Sequence, residues 1–181
     1  GGRGGGGREP TEFRGTFSPG MRRVQQEVLQ RHNEYRAKHG VPPLQEDEQM
    51  NRYAQAWAKH LARTGKFQHR SERRYGENIY MSYSSDSNAK LAGQGKKAVD
   101  SWYSEIKYYS YGNSYNPRAG HFTQSIWRKS QRLGTGVARS GDGKIFVVSN
   151  YDPAGNLHGT FRENVPRPRE TRNNRLCLKN G

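Results

Sequence analysis

The sequence predicts an α+β domain, because segments with the apolar repeat of a helix share one chain with a β-hairpin. Helical repeats cover residues 18–40 and 47–65, and the hairpin covers residues 133–151. At 181 residues the chain is long enough for one domain with a sizeable core. We therefore expect a single folded unit over residues 18–165.

Both ends of the chain are predicted to be tails. Residues 1–17 open with a run of glycine and arginine that is too rich in glycine to order itself. A linker is favoured there over an Arg-Gly segment that binds nucleic acid. From Pro166 onward, residues 166–181 form a predicted basic tail.

The first predicted helix begins at Ser18-Pro19, since serine caps helices and proline suits the first turn. Gly40 ends it. One face of this helix carries Val24, Val28, His32 and Tyr35.

A second helix is predicted between a cap at Asp47 and a stop at Gly65. Its apolar face carries Met50, Tyr53, Trp57 and Leu61.

A third predicted helix carries Ala98, Trp102 and Ile106 on one side, with Glu105 on that same side. A carboxylate beside a buried tryptophan is costly unless it is paired. We therefore expect Glu105 to have a partner.

Strands are predicted at residues 75–80, 133–139 and 144–151. Ser140-Gly141-Asp142-Gly143 joins the last two as a tight hairpin. Between the third helix and the hairpin, residues 120–127 place one imidazole, His121, at the head of a helical face with Phe122, Ile126 and Trp127. An anchored histidine is a candidate site residue, and an ordinary hydrogen-bonded core histidine is the alternative.

Composition says more about partners than about the fold. The net charge of +15 favours polyanions or anionic lipid headgroups, although the lysines and arginines are spread along the chain. Cys177 is the only cysteine, so no intramolecular disulfide can form. The chain also has no Asn-x-Ser/Thr acceptor and no apolar run of transmembrane length. These features point away from the classical secretory route.

Five ordered motifs resemble the CAP superfamily, which comprises cysteine-rich secretory proteins, antigen 5 and plant pathogenesis-related class 1 proteins. They are HNEYRAKHGVPPL (32–44), YGENIY (75–80), WYSE (102–105), GHFTQSIWRKS (120–130) and FVVSNYDPAGNL (146–157). The disulfide-free, Golgi-associated branch is the most similar. Ser149 stands where the second family signature normally has cysteine. The resemblance implies a three-layer α-β-α sandwich with a small, mainly antiparallel sheet, in which His32 is structural.

The resemblance also implies a cleft with a tetrad of His69, Glu77, Glu105 and His121. The imidazoles of His69 and His121 would be the ligands of Zn²⁺ or another divalent cation that folding does not require. The two carboxylates would orient the rings or hold a water on the metal. We expect no enzyme, and a metal-dependent hydrolase that uses this tetrad is the alternative.

The family loop ahead of GHFTQ has been linked to sterol binding, which makes Tyr109, Tyr111 and Tyr115 the candidate residues for lipid or sterol. Tyrosines suit a lipid-water boundary, but the loop could equally fold back onto the core.

We therefore predict a binding protein for lipid or sterol that associates with anionic membranes. A polyanion (glycosaminoglycan or nucleic acid) and a second copy of the chain are further candidate partners. The expected location is at an intracellular membrane of Golgi type, with secretion as the alternative.

Overall fold

Helices cover both faces of a four-stranded sheet in the computed structural model, which describes residues 9–85 and 91–169. In chain order the elements are α1 (Pro19–Lys38), β1 (Gln45–Glu46), α2 (Glu48–Thr64), β2 (Gly76–Tyr83), α3 (Gln94–Tyr103), a 3-10 helix (Ser104–Tyr108), a second 3-10 helix (Pro117–Ala119), α4 (Gly120–Ile126), β3 (Arg132–Arg139), β4 (Lys144–Asp152) and α5 (Phe161–Asn164). The strand order is β1-β3-β4-β2, with β1 parallel to β3 and the other neighbours antiparallel.

Strand β4 shows how one short strand supports two helical layers. Its side chains alternate between the faces of the sheet. Ile145, Val147 and Tyr151 pack with α1 and α3, whereas Phe146 and Val148 pack with α2. The predicted α-β-α sandwich with a small, mainly antiparallel sheet is confirmed.

The predicted helix boundaries follow from local capping. The Ser18 hydroxyl accepts from the backbone N–H of Met21, and the Asp47 carboxylate accepts from the N–H of Met50. Gly65 ends α2 with a φ of 71°, a conformation that favours glycine. The stop signals at Gly40 and Gly65 are confirmed.

Helix α2 also completes the edge of the sheet. Because β1 pairs with only two residues of β3, most of that edge lacks a neighbouring strand. The side-chain amide of Gln55 bonds both backbone groups of Val137, and Asn51 accepts from the N–H of Thr135. A Cβ on Gly136 would lie 2.4 Å from the Cα of Gln55, so glycine is required for this approach.

The third helix is shorter than predicted. α3 ends at Tyr103, and a 3-10 helix carries Glu105 and a partly buried Ile106. The tighter winding turns Glu105 towards the start of α4, where its predicted partner lies.

The predicted tails need a correction as well. Phe17 is buried, and the backbone of Phe13 exchanges hydrogen bonds with Arg52 of α2, so residues 9–17 pack on the domain. At the other end Arg169 donates its backbone N–H to Lys38. The first eight residues, residues 170–181 and Cys177 lie outside the described residues. None of the helices in the described part of the chain is long and apolar enough to cross a bilayer.

Arg36 joins α1 to the far end of α4 through a fully buried guanidinium group. It donates to the carbonyls of Pro42, Ser125, Trp127 and Ser130 at 2.7 to 3.2 Å. Burial lowers the pKa of Arg36 to about 10, so it stays charged at neutral pH. The carbonyls at the end of a helix carry the negative end of its dipole and therefore suit a cation.

His32 lies in the core and is held by both ring nitrogens. Nδ1 donates to the Val28 carbonyl at 2.8 Å, so Nε2 accepts from the hydroxyl of Tyr151 at 2.6 Å. Burial lowers the pKa of His32 to about 3, which keeps the ring neutral. The structural role expected for this histidine agrees with these contacts.

We predict that Arg36→Lys lowers the free energy of unfolding by about 3 kcal/mol, because an ammonium group cannot reach the separated carbonyls that the guanidinium group serves. Urea denaturation measures the change. Arg23→Lys, at an exposed position on α1, should change it by less than about 0.5 kcal/mol. Equal effects of the two substitutions would contradict the role of Arg36.

We also predict that the protein loses stability as the pH falls below about 6.5. The unfolded chain takes up a proton at His32 near pH 6.5, whereas the folded chain does so only near pH 3. This one group should cost about 2 kcal/mol between pH 6.5 and 5. Unfolding curves across this range should show a smaller pH dependence for His32→Gln than for the wild type, and an unchanged slope would refute the assignment.

Candidate functional site

An open cleft of about 420 Å³ lies where the loop before β2 faces the start of α4. The turn after β4 forms a third wall. His69, Glu77 and His121 line this cleft, and Glu105 lies behind His121. The structure thus brings the four residues of the expected tetrad to one place.

Glu105 fixes His121 at the first turn of α4. One carboxylate oxygen accepts from Nδ1 of His121 at 2.8 Å. The other accepts from the backbone N–H groups of His121 and Phe122 at 2.9 and 3.2 Å. Since the buried side chain of Phe122 anchors the helix from below, the imidazole keeps one direction.

Glu77 fixes His69 in a similar way on the opposite wall. Its Oε1 accepts from Nδ1 of His69 and from the backbone N–H of Arg70, both at 3.0 Å. Its Oε2 accepts from the amide of Asn150 at 3.4 Å. The carboxylate is largely buried, whereas the His69 side chain is 52% exposed.

The two pairs leave the same ring atom of each histidine available. An ionised carboxylate only accepts, so Nδ1 carries the hydrogen in both rings and Nε2 of a neutral ring holds a lone pair. Neither Nε2 bonds to any group within residues 9–85 and 91–169. The cleft therefore offers two oriented imidazole donors.

The donor set fits a divalent cation only weakly. No group of three or more His, Cys, Asp or Glu side chains in the described residues is placed to hold a metal ion. A structural zinc site uses four protein ligands and a catalytic site three. Two imidazoles would leave the remaining positions to solvent or to a ligand in the cleft.

Two cleft residues, Asn156 and His158, are missing from the sequence-based prediction. His158 lines the cleft beside Tyr115, which was predicted as a lipid or sterol candidate, and the two rings meet edge to face with centroids 5.8 Å apart. Asn156 has a φ of 59° and bonds both Thr123 and the Gly120 carbonyl of α4. Residues 152–156 are rich in proline, glycine and asparagine, which predicts a turn at this wall, but nothing in their sequence indicates a contact with α4.

The loop that carries Tyr109, Tyr111 and Tyr115 largely folds back onto the core. Tyr109 is buried, and Tyr111 packs edge to face against it with centroids 5.1 Å apart. Burial raises the pKa of Tyr111 to about 12. Of the two alternatives left open by the sequence, Tyr109 and Tyr111 therefore follow the one in which the loop folds back onto the core. Tyr115, at 45% exposure, remains accessible.

The hydroxyls of Tyr109 and Tyr111 are buried and have no hydrogen-bond partner among the described residues. Such groups are costly to leave unpaired. These two hydroxyls mark the place where a small polar group of a ligand would gain most from forming a hydrogen bond.

Comparisons with known proteins agree with the fold. The family model described as CAP, the cysteine-rich secretory protein family, matches residues 29–151. A human protein named Golgi-associated plant pathogenesis-related protein 1 is 42% identical over 151 residues, which cover 80% of this chain and 93% of that protein. The secreted protein RBT4 of Candida albicans is 38% identical over 79% of this chain and 40% of its own length.

Among solved structures, the crystal structure of NaASP2 with Zn²⁺ is similar, with a TM-score of 0.64 and 25% identity. The match covers 86% of this chain and 92% of that one. On its motifs, its sandwich fold and the matched residues 29–151, this chain belongs to the CAP family of cysteine-rich secretory proteins.

Proposed function

We propose that this chain is a non-enzymatic binding protein that associates with anionic membranes. The observation that carries the proposal is a cluster of six exposed cations at one end of the molecule. We name it the basic end patch, and it consists of Lys38, Arg128, Lys129, Arg162, Arg167 and Arg169.

Backbone hydrogen bonds bring these separate segments together. The N–H of Arg169 donates to the carbonyl of Lys38 at 2.7 Å. The N–H of Arg128 donates to the carbonyl of Asn164 at 3.0 Å, and Lys129 donates to its side chain at 3.1 Å. Residues 162–169 therefore lie across the ends of α1 and α4.

The charge of the patch is mostly uncompensated. None of its six cations forms an ion pair within the described part of the chain. Glu163 is a carboxylate on the same surface, and its backbone carbonyl accepts from Arg128. Clustered cations are attracted to anionic headgroups by about 1 kcal/mol each, and this attraction is screened by salt.

We predict that the protein sediments with vesicles that contain an anionic phospholipid and that high ionic strength releases it. The triple substitution Lys129→Ala, Arg162→Ala and Arg169→Ala should weaken binding by about 100-fold, since about 1 kcal/mol is lost with each charge.

The matched control removes three exposed cations elsewhere, by Arg23→Ala, Lys96→Ala and Lys97→Ala. It should weaken binding by only a few fold, through the change in net charge. Equal losses in the two variants would show that the patch is not the docking face. No binding at low ionic strength would reject the membrane function. Stronger binding to heparin or single-stranded nucleic acid than to vesicles would favour a polyanion partner.

Sterol binding is proposed for the pair of tyrosines Tyr109 and Tyr111, together with Tyr115 at the cleft. The hydroxyls of Tyr109 and Tyr111, which are buried and have no partner within residues 9–85 and 91–169, and the accessible Tyr115 support it, because a sterol offers one hydroxyl and a large apolar surface. Vesicles with and without cholesterol separate this contribution from the electrostatic one. A cholesterol effect that Tyr115→Ala leaves unchanged would count against this residue.

We further propose that Nε2 of His69 and Nε2 of His121 bind a divalent cation weakly. The hydrogen bond from Nδ1 of each ring to a carboxylate supports this, because a partner on one ring nitrogen orients a histidine whose other ring nitrogen binds a metal. A relative of this fold has been crystallised with Zn²⁺. When bound, the cation would supply Lewis acidity to a ligand in the cleft.

We predict that Zn²⁺ binding, measured by calorimetry, is lost when His69 and His121 are both changed to alanine. Glu105→Gln should weaken it by about 10- to 100-fold, because the ring loses its anionic partner. His60→Ala, at a histidine outside the cleft, should leave it unchanged. Unaltered binding in the double variant would place the cation elsewhere.

The alternative function is a metal-dependent hydrolase, with Glu77 or Glu105 as the base. Both carboxylates are already engaged by a ring N–H and by backbone N–H groups, which favours an orienting role over proton transfer. Hydrolysis of an ester that is abolished in the double histidine variant would favour the enzyme. Hydrolysis that persists there would exclude this mechanism.

For location, we propose an intracellular membrane of Golgi type, as the name of the human relative suggests. Secretion is the alternative, and the fungal relative is named as secreted.

A further inference from the structure

The loop that carries His69 has no helix or strand of its own. Residues 66–75 connect α2 to β2, and their conformation depends on side chains that reach them from elsewhere. How well the His69 imidazole is positioned at the cleft therefore depends on how firmly these side chains hold the loop.

The first part of the loop is anchored within the family domain. Trp57 of α2 donates to the carbonyl of Gln68 at 3.1 Å. Arg70 is only 2% exposed, donates to the carbonyl of Tyr53 at 2.6 Å and stacks over the Tyr53 ring. Glu77 holds the ring of His69 and the N–H of Arg70.

The next two residues are anchored by a different carboxylate. The N–H of Ser71 donates to both oxygens of Glu9, at 3.2 and 3.1 Å, and the N–H of Glu72 donates to one of them at 3.3 Å. Hydrogen bonding from Ser71 lowers the pKa of Glu9, so the carboxylate is ionised at neutral pH. Two carboxylates from distant parts of the chain thus hold consecutive backbone groups of one loop.

Glu9 is itself held in place. The backbone of Phe13 bonds Arg52 through its N–H and its carbonyl at 3.0 and 2.9 Å, and Phe17 is buried against the domain. The Lys59 ammonium group lies 5.1 Å from the Phe13 ring centroid. Residues 9–17 therefore form a strap along α2, outside the residues 29–151 that match the family model.

We propose that Glu9 is a positioning residue of the cleft, which fixes the loop at Ser71 and Glu72 and thereby orients the imidazole of His69. Glu9 lies on the strap and is not one of the four residues of the tetrad. It rests on the geometry of the cleft, and the metal proposal is needed for only one arm of the test.

The test compares the wild-type chain, Glu9→Gln and Glu12→Gln. Glu12 lies on the same strap, and its Oε2 is 3.9 Å from Nε of Arg14. Its substitution therefore removes the same charge as Glu9→Gln and serves as the matched control. In Glu9→Gln, amide hydrogen exchange at Ser71 and Glu72 should be faster by about tenfold or more. Exchange in β4 should stay as in the wild type, which separates a local effect from reduced global stability.

The ring signals of the cleft histidines give a readout that a merely structural strap would not move. The signals of His69 should shift in Glu9→Gln, whereas those of His121, held by Glu105 on the opposite wall, should not. Zn²⁺ affinity should fall by about threefold to tenfold, because the other anchors of the loop remain. Glu12→Gln should match the wild type in all three measurements.

Unchanged exchange at Ser71 and Glu72, together with unchanged His69 signals, would overturn the proposal. Equal shifts of His69 and His121 would also overturn it, since they would indicate a general change of the domain. If the wild type binds no Zn²⁺, the metal proposal fails while the exchange and ring signals still decide the role of Glu9.

Discussion

The buried guanidinium group of Arg36 links helix α1 to the C-terminal end of α4, the helix whose first turn carries the cleft residue His121. Its guanidinium group serves carbonyls at the end of α4, and no carboxylate is needed. A buried charge is expensive unless it is fully hydrogen-bonded, so this contact leaves little freedom in how α4 meets α1. The orientation of α4 in turn sets the direction of His121.

The same hydrogen-bonding arrangement occurs on both walls of the cleft. In each case a carboxylate accepts from a histidine ring and from the backbone N–H of the residue that follows that histidine. Ring and backbone are thereby tied together, which orients the imidazole at low entropic cost. The walls differ in support, because His121 starts a helix packed on the core whereas His69 lies in a loop held by Glu77 and Glu9.

The ends of the domain contribute more than the sequence suggests. Residues 9–17 reach the cleft loop, and residues 166–169 bring cations to the ends of α1 and α4. Arginines and lysines that are spread along the chain become one surface only when these segments fold together. A count of charges predicts that an anion is attracted, but not which face attracts it.

The sequence by itself determined the helices α1 and α2, the β3–β4 hairpin and the family. These features depend on caps, turn residues and apolar periods that act over a few residues, such as Ser18, Asp47 and Gly65. The tetrad came from resemblance, since spacings of eight and sixteen residues between His69 and Glu77 and between Glu105 and His121 form no compact motif. Only the tertiary structure decided the burial of Tyr109, the edge contacts of Gln55, the basic end patch and the contact of Glu9 with the cleft loop. Each of these joins groups that are far apart in the chain, and local sequence preferences carry no information about such pairs.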